Sequence, residues 1–123
     1  MHASAITACI SPGAGGAEQQ VPDVIAAGKP ATMRLVLSVF GSGGGVRGRY
    51  KDVALHYRLV GDSTFRRAVT PPPRPIDRKR ESYDFVIPPF PQGTRGELEY
   101  FFVAHLDGHQ GPAIEGIKKI RVE

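Results

Sequence analysis

His105, Asp107 and His109 stand two residues apart near the end of the chain's longest alternating segment. Imidazole nitrogens and carboxylate oxygens are ligand types that zinc accepts, so the spacing is compatible with a divalent metal. Asp107-Gly108 is also a hairpin signal, and a turn there separates His109 from His105. The turn explains both residues, and no metal is expected. Gly43-Gly44-Gly45-Val46-Arg47-Gly48 has the glycine spacing of a dinucleotide-binding loop. That chemistry needs a helix N-terminus behind the loop to hold the pyrophosphate. Here an alternating, strand-like segment follows, so no cofactor is expected. Glu97 and Glu99 share one face, but neighbouring Phe101 and Val103 mark that face as a sheet surface. Ser42 lacks the strand-to-helix elbow of a hydrolase nucleophile. No acid, base and cleft converge, and the chain is expected to be non-enzymatic.

Binding chemistry is better represented. Residues 46–82 carry ten basic and four acidic groups, net +6, whereas residues 1–45 are net 0 and residues 83–123 net −2. Arg47, Arg49, Arg66, Arg67, Arg74, Arg78, Lys79 and Arg80 fall on expected loops and an edge strand, where recognition residues sit on a rigid scaffold. The simplest reading of this charge is a solvated face that keeps the chain in solution; read as a contact surface, it takes a protein or an anionic polymer. A carbohydrate platform would have to use Tyr50, Tyr83 or Phe90, because the chain has no Trp. Nucleic-acid binding would use Arg47 and Arg49 on phosphates with Tyr50 stacking on a base. It ranks below the protein and anionic-polymer readings. Pro71-Pro72-Pro73-Arg74-Pro75 suits a polyproline II ligand, although its simpler use is to stiffen an exposed crossing.

The elements that must position these residues step by two. Met33, Leu35, Leu37 and Val39 share a face within Ala31–Phe40, with Arg34, Val36, Ser38 and Phe40 opposite. Val53, Leu55, Tyr57 and Leu59 alternate with Ala54, His56 and Arg58 in Asp52–Val60. Tyr83, Phe85 and Ile87 do so before Pro88, and Leu98 to Leu106 do so in Glu97–Leu106. Thr64–Val69 reads as a short, arginine-rich edge strand, where charge discourages pairing with a second molecule. Thr70–Glu81, with four prolines, reads as a crossing between two sheets, since proline lacks the N–H a ladder needs. Gly116–Val122 closes the chain, with Ile117 out of step, which suggests a bulge or slip at Lys118-Lys119. A weak strand at Asp23–Ala27 brings the number to seven, and no segment has helical periodicity. The expectation is an all-β, seven-stranded antiparallel sandwich over residues 23–123. Residues 1–22 are expected to be a flexible lead-in that adds nothing to the core.

At 123 residues, one domain is expected. The 15 glycines and 11 prolines suit strands and turns. One cysteine excludes an intrachain disulfide framework. No apolar run nears the roughly 20 residues of a spanning helix. Ile6-Thr7-Ala8-Cys9 matches the loose pattern before an acylated lipoprotein cysteine. A signal segment needs a basic start and an apolar stretch of about 7–15 residues. Eight residues precede Cys9, none of them Lys or Arg, so the match is expected to be chance.

Val53-Ala54-Leu55-His56-Tyr57-Arg58 with Gly61, Tyr83-Asp84-Phe85-Val86-Ile87-Pro88, and Gly93-Thr94 leading to Leu98-Glu99-Tyr100-Phe101-Phe102-Val103-Ala104 and Asp107-Gly108 resemble the middle of a bacterial fibronectin type III or related immunoglobulin-like domain. The resemblance covers about half of the chain. It implies that Tyr57 fills the volume of the family's core tryptophan and that Tyr100 serves as corner tyrosine. It also implies a spacer, adhesion or accessory module and an extracytoplasmic setting.

Overall fold

The computed structural model describes residues 8–11, 15–38, 41–42, 46–47, 50–77, 80–106, 113–114 and 116–123, and among these it contains strands and no helix. The strands are β1 (Ala8–Ser11), β2 (Gly15–Gln20), β3 (Val24–Ile25), β4 (Ala31–Ser38), β5 (Gly41–Ser42), β6 (Val46–Arg47) and β7 (Tyr50–Leu59). They continue with β8 (Arg66–Arg67), β9 (Arg74–Pro75), β10 (Arg80–Ile87), β11 (Gly96–Leu106), β12 (Ala113–Ile114) and β13 (Lys118–Val122). Each of the seven expected strands overlaps one of β3, β4, β7, β8, β10, β11 and β13, and the described residues hold further short strands.

Two sheets are layered. One has the order β1-β2-β4-β10-β9, and the other β3-β13-β11-β7-β8 with β12 also on β11; β5 and β6 pair by themselves. Period-2 alternation turns one face of each long strand toward the other sheet. Met33, Leu35, Leu37, Tyr83, Phe85 and Ile87 from the first sheet meet Val53, Leu55, Tyr57, Leu98, Tyr100, Phe102, Ile120 and Val122 from the second. The rings of Phe85 and Phe102 lie 5.8 Å apart across the layers. Tyr57 is buried in this core. The arrangement is a β-sandwich.

Four expectations need correction. The first sheet extends through β2, whose Gln19 is fully buried, and Val21 packs against the core. Residues 15–22 therefore do not form a lead-in without a role in packing. The pairing is not wholly antiparallel, because β3 runs parallel to β13 with Arg121 opposite Val24. Glu123 N–H donates to Ile25 and Ala27 N–H donates to Glu123, both at 3.0 Å. Ile117 is exposed ahead of β13, and Lys118 to Val122 pair with β11 in unbroken register, so nothing bulges at Lys118-Lys119. Val36, placed outward by alternation, is buried outside the main core cluster, beside its ladder partner Ser82.

A bulge occurs instead at Asp52. Val103 faces Ala54 but His105 faces Lys51, so β7 spends one extra residue there. Asp52 takes it up with φ of 55°, a left-handed conformation that aspartate tolerates better than most residues. Beyond it, Val53, Leu55 and Tyr57 stay on the inner face.

The proline-rich crossing, expected over Thr70–Glu81, is shorter, because β9 pairs at Arg74–Pro75 and β10 begins at Arg80. Thr70 to Pro73 carry the chain from β8 in one sheet to β9 in the other. Thr70 Oγ1 anchors it by donating to the Val53 carbonyl at 2.9 Å. In the turn between β3 and β4, Gly28 has φ of +85° and donates its N–H to Phe90 O at 2.7 Å. A Cβ there would lie 2.8 Å from Gln92 Nε2. Gln92 is exposed and can swing aside, but the left-handed backbone cannot be relieved. Gly28→Ala is expected to cost about 1–2 kcal/mol, read as a lowered urea midpoint with unchanged slope.

Candidate functional site

Strands β8 and β9 end their sheets on the same side of the sandwich, because only six residues separate Arg67 from Arg74. This brings Arg66, Arg67, Arg74 and Arg80 to neighbouring edges. Arg47 lies on β6, and Arg49, Arg78 and Lys79 lie outside the described residues.

The four edge arginines are not equivalent. Arg80 is held by Asp77 at 2.9 Å. Arg74 reaches Asp84 at 3.5 Å, and Asp84 is already held by Arg34 through Nε at 2.8 Å and Nη2 at 3.3 Å. The hydrogen bond and then the charge of Asp84 hold the Arg34 guanidinium above its ordinary range. Arg66 and Arg67 are exposed and make no ion pair with a described residue. Among the described residues, uncompensated charge on the proline side therefore gathers on β8.

Ladder register sets which way these two point. Residues directly opposite in an antiparallel pair have side chains on the same face. Arg67 stands opposite His56, whose side chain lies on the outer face of its sheet, and Arg66 stands opposite inward Tyr57. One guanidinium is thus set on the outer face and the other at the mouth between the sheets. At that mouth Arg66 joins Tyr57, Arg58, Asp62 and Pro88 to Pro91 around a groove of about 220 Å³.

The outer face beside Arg67 is built from partly covered aromatic groups. His56 stacks on Phe101 with centroids 4.9 Å apart and planes at 15°. Phe65 meets Phe101 edge-on at 5.1 Å, and the Arg58 guanidinium lies over Phe65 at 4.3 Å from its centroid. Arg58 Nε also donates to Glu99 at 2.9 Å. Glu99 is thereby explained as an ion-pair partner. Burial, and next the charge of Arg67, lower the His56 pKa below its ordinary value. Phe65, His56 and Phe101 were visible as residues, but only the register of β7 against β11 and the turn before β8 bring them together.

The other candidates fare differently. Tyr83 and Phe90 are buried, so neither offers a sugar ring a platform. His105 sits on β11, while Asp107 and His109 lie outside the described residues. Among the described residues no three His, Cys, Asp or Glu side chains come together to hold a metal ion. The glycine-rich residues 43–45 and 48 are likewise outside the described residues, between and after β5 and β6. No described helix is long and apolar enough to cross a membrane. No protein-family model, curated protein or solved structure matches the chain.

Proposed function

We propose that the chain is a non-catalytic, immunoglobulin-like binding module that holds a linear polyanion along the β8 edge. The immunoglobulin-like part is supported by strand order. Lettering β2, β4, β7, β9, β10, β11 and β13 from A to G yields A-B-E-D in one sheet and C-F-G in the other. The shared pattern of that fold leaves β8 as an added edge strand next to C.

One observation carries the binding reading: Arg66 and Arg67 are adjacent and exposed without carboxylate partners among the described residues, while Arg34, Arg58, Arg74 and Arg80 all have one. Guanidinium presents a planar fork of donors that suits sulfate, carboxylate and phosphate oxygens. A charged pair on a rigid edge contacts successive groups of a polymer without reorganising. Such binding releases counterions and weakens with salt.

Fluorescence titration with heparin and with a single-stranded oligonucleotide tests this. Two neutralised charges predict an affinity loss of about tenfold from roughly 50 to 200 mM salt. Absence of binding to either polymer at the lower salt would remove the reading. The two arms also separate a sulfated glycan from a nucleic acid.

A further inference from the structure

Resting on the polyanion reading, we propose that His56 and Arg67 form one oxyanion subsite, in which the imidazole takes up a proton as the anionic group docks. The ligand class is a sulfate, phosphate or carboxylate group carried by the polymer.

The geometry supplies both donors on one surface. His56 on β7 and Arg67 on β8 are directly opposite in the ladder and share the outer face. His56 is half-buried, with its ring face against Phe101. Stacking on Phe101 fixes the plane of the imidazole instead of leaving the ring to rotate freely. An oxyanion beside Arg67 can accept from the guanidinium and from a protonated imidazole together.

The charged groups around His56 set the direction. Across β8 stands Arg67; along β7 stands Arg58; across β11, next to Phe101, stands Glu99. Glu99 is committed to Arg58 at 2.9 Å, so that pair contributes little net charge. Arg67 remains the uncompensated neighbour and, with burial, it favours the neutral imidazole in the free protein. A bound oxyanion neutralises Arg67 and offers the imidazolium a partner. Both changes raise the proton affinity of His56. By linkage, protonation of His56 must strengthen anion binding by the same factor.

Heparin, polygalacturonate and a single-stranded oligonucleotide supply sulfate, carboxylate and phosphate groups as separate probes. Each would be titrated into the wild-type chain and into His56→Gln at pH 5.5 and 7.5. The glutamine keeps a polar side chain that does not titrate. The wild type is expected to bind about two- to fivefold more tightly at the lower pH, the gain of one exposed ion pair. His56→Gln should lose that gain, binding no more tightly at pH 5.5 than at pH 7.5. Calorimetry in buffers of different ionisation enthalpy should show proton uptake on binding near pH 6 by the wild type and none by the variant. Equal acid enhancement, or equal proton uptake, in His56→Gln would overturn the subsite while leaving the polyanion reading intact. A wild-type chain that binds none of the three probes at either pH would remove both.

Discussion

Phe85→Ala is expected to produce the largest loss of stability of any single substitution considered. Phe85 is fully buried on β10. Its ring lies 6.3 Å from that of Tyr83 on its own strand and 5.8 Å from that of Phe102 on the facing sheet. Truncation removes the transfer energy of the ring and leaves a cavity that strands fixed on both sides cannot fill. The expected cost is about 3–5 kcal/mol. Domains of this size are stable by about 5–15 kcal/mol, so the loss is a large fraction of the total. With a slope of about 1–3 kcal/mol/M in urea, the midpoint should fall by about 2 M. Phe85→Leu, which keeps an apolar side chain in the same space, should fall far less. A small shift for Phe85→Ala would mean that the two sheets do not close over this ring.

His56 adds a smaller, pH-dependent contribution to stability. Its folded pKa lies below the ordinary value of 6.5. The unfolded chain therefore binds the proton first on acidification. Stability from the neutral imidazole is present above the unfolded value and is lost as pH falls through it toward the folded one.

The core was readable because its signal is local. Met33, Leu35 and Leu37 alternate on β4, and Leu98, Tyr100 and Phe102 alternate on β11; all six are buried. A two-residue period with large apolar groups has few other solutions. The arginine-rich edge was readable for a similar reason, since a six-residue segment with paired arginines next to four prolines cannot sit inside a sheet. By contrast, β2 reads Gly-Gly-Ala-Glu-Gln-Gln and has no apolar period. It is held by its ladder with β4, where Gln19 pairs with Leu35, and ladder partners are not encoded locally. The parallel run of β3 along β13 joins residues nearly a whole chain apart and leaves no local mark. The bulge at Asp52 was hidden because alternation from Val53 onward is unaffected by it.

The candidate site was half visible. Charge density located the region but could not say which arginines were already compensated. Asp84 is ten residues from Arg74 and fifty from Arg34, and it serves both only because β4, β10 and β9 are adjacent. The aromatic group beside Arg67 depends on register in the same way. His56 and Phe101 belong to different strands and meet because β7 and β11 pair with those two residues opposite. Among the described residues on the β8–β9 edges, what remains after the compensated arginines are set aside is a pair of guanidinium groups on a two-residue strand, set on either side of a sheet edge.

That placement is tested most directly by two variants of equal charge. Arg66→Glu/Arg67→Glu and Lys119→Glu/Arg121→Glu each remove four units, taking the formal net charge from +4 to 0. Lys119 and Arg121 are exposed on β13, which β11 and β7 separate from β8. Both proteins would be titrated with heparin at low salt after thermal melts confirm that they fold. Reversal on β8 is expected to weaken binding by well over about tenfold, because two contacts become repulsions. The matched variant should stay within about threefold of the wild type, since exposed charges away from the contact are screened beyond roughly 10 Å. Equal losses in the two variants would show that overall charge, and not the β8 edge, attracts the polymer, and would contradict the site.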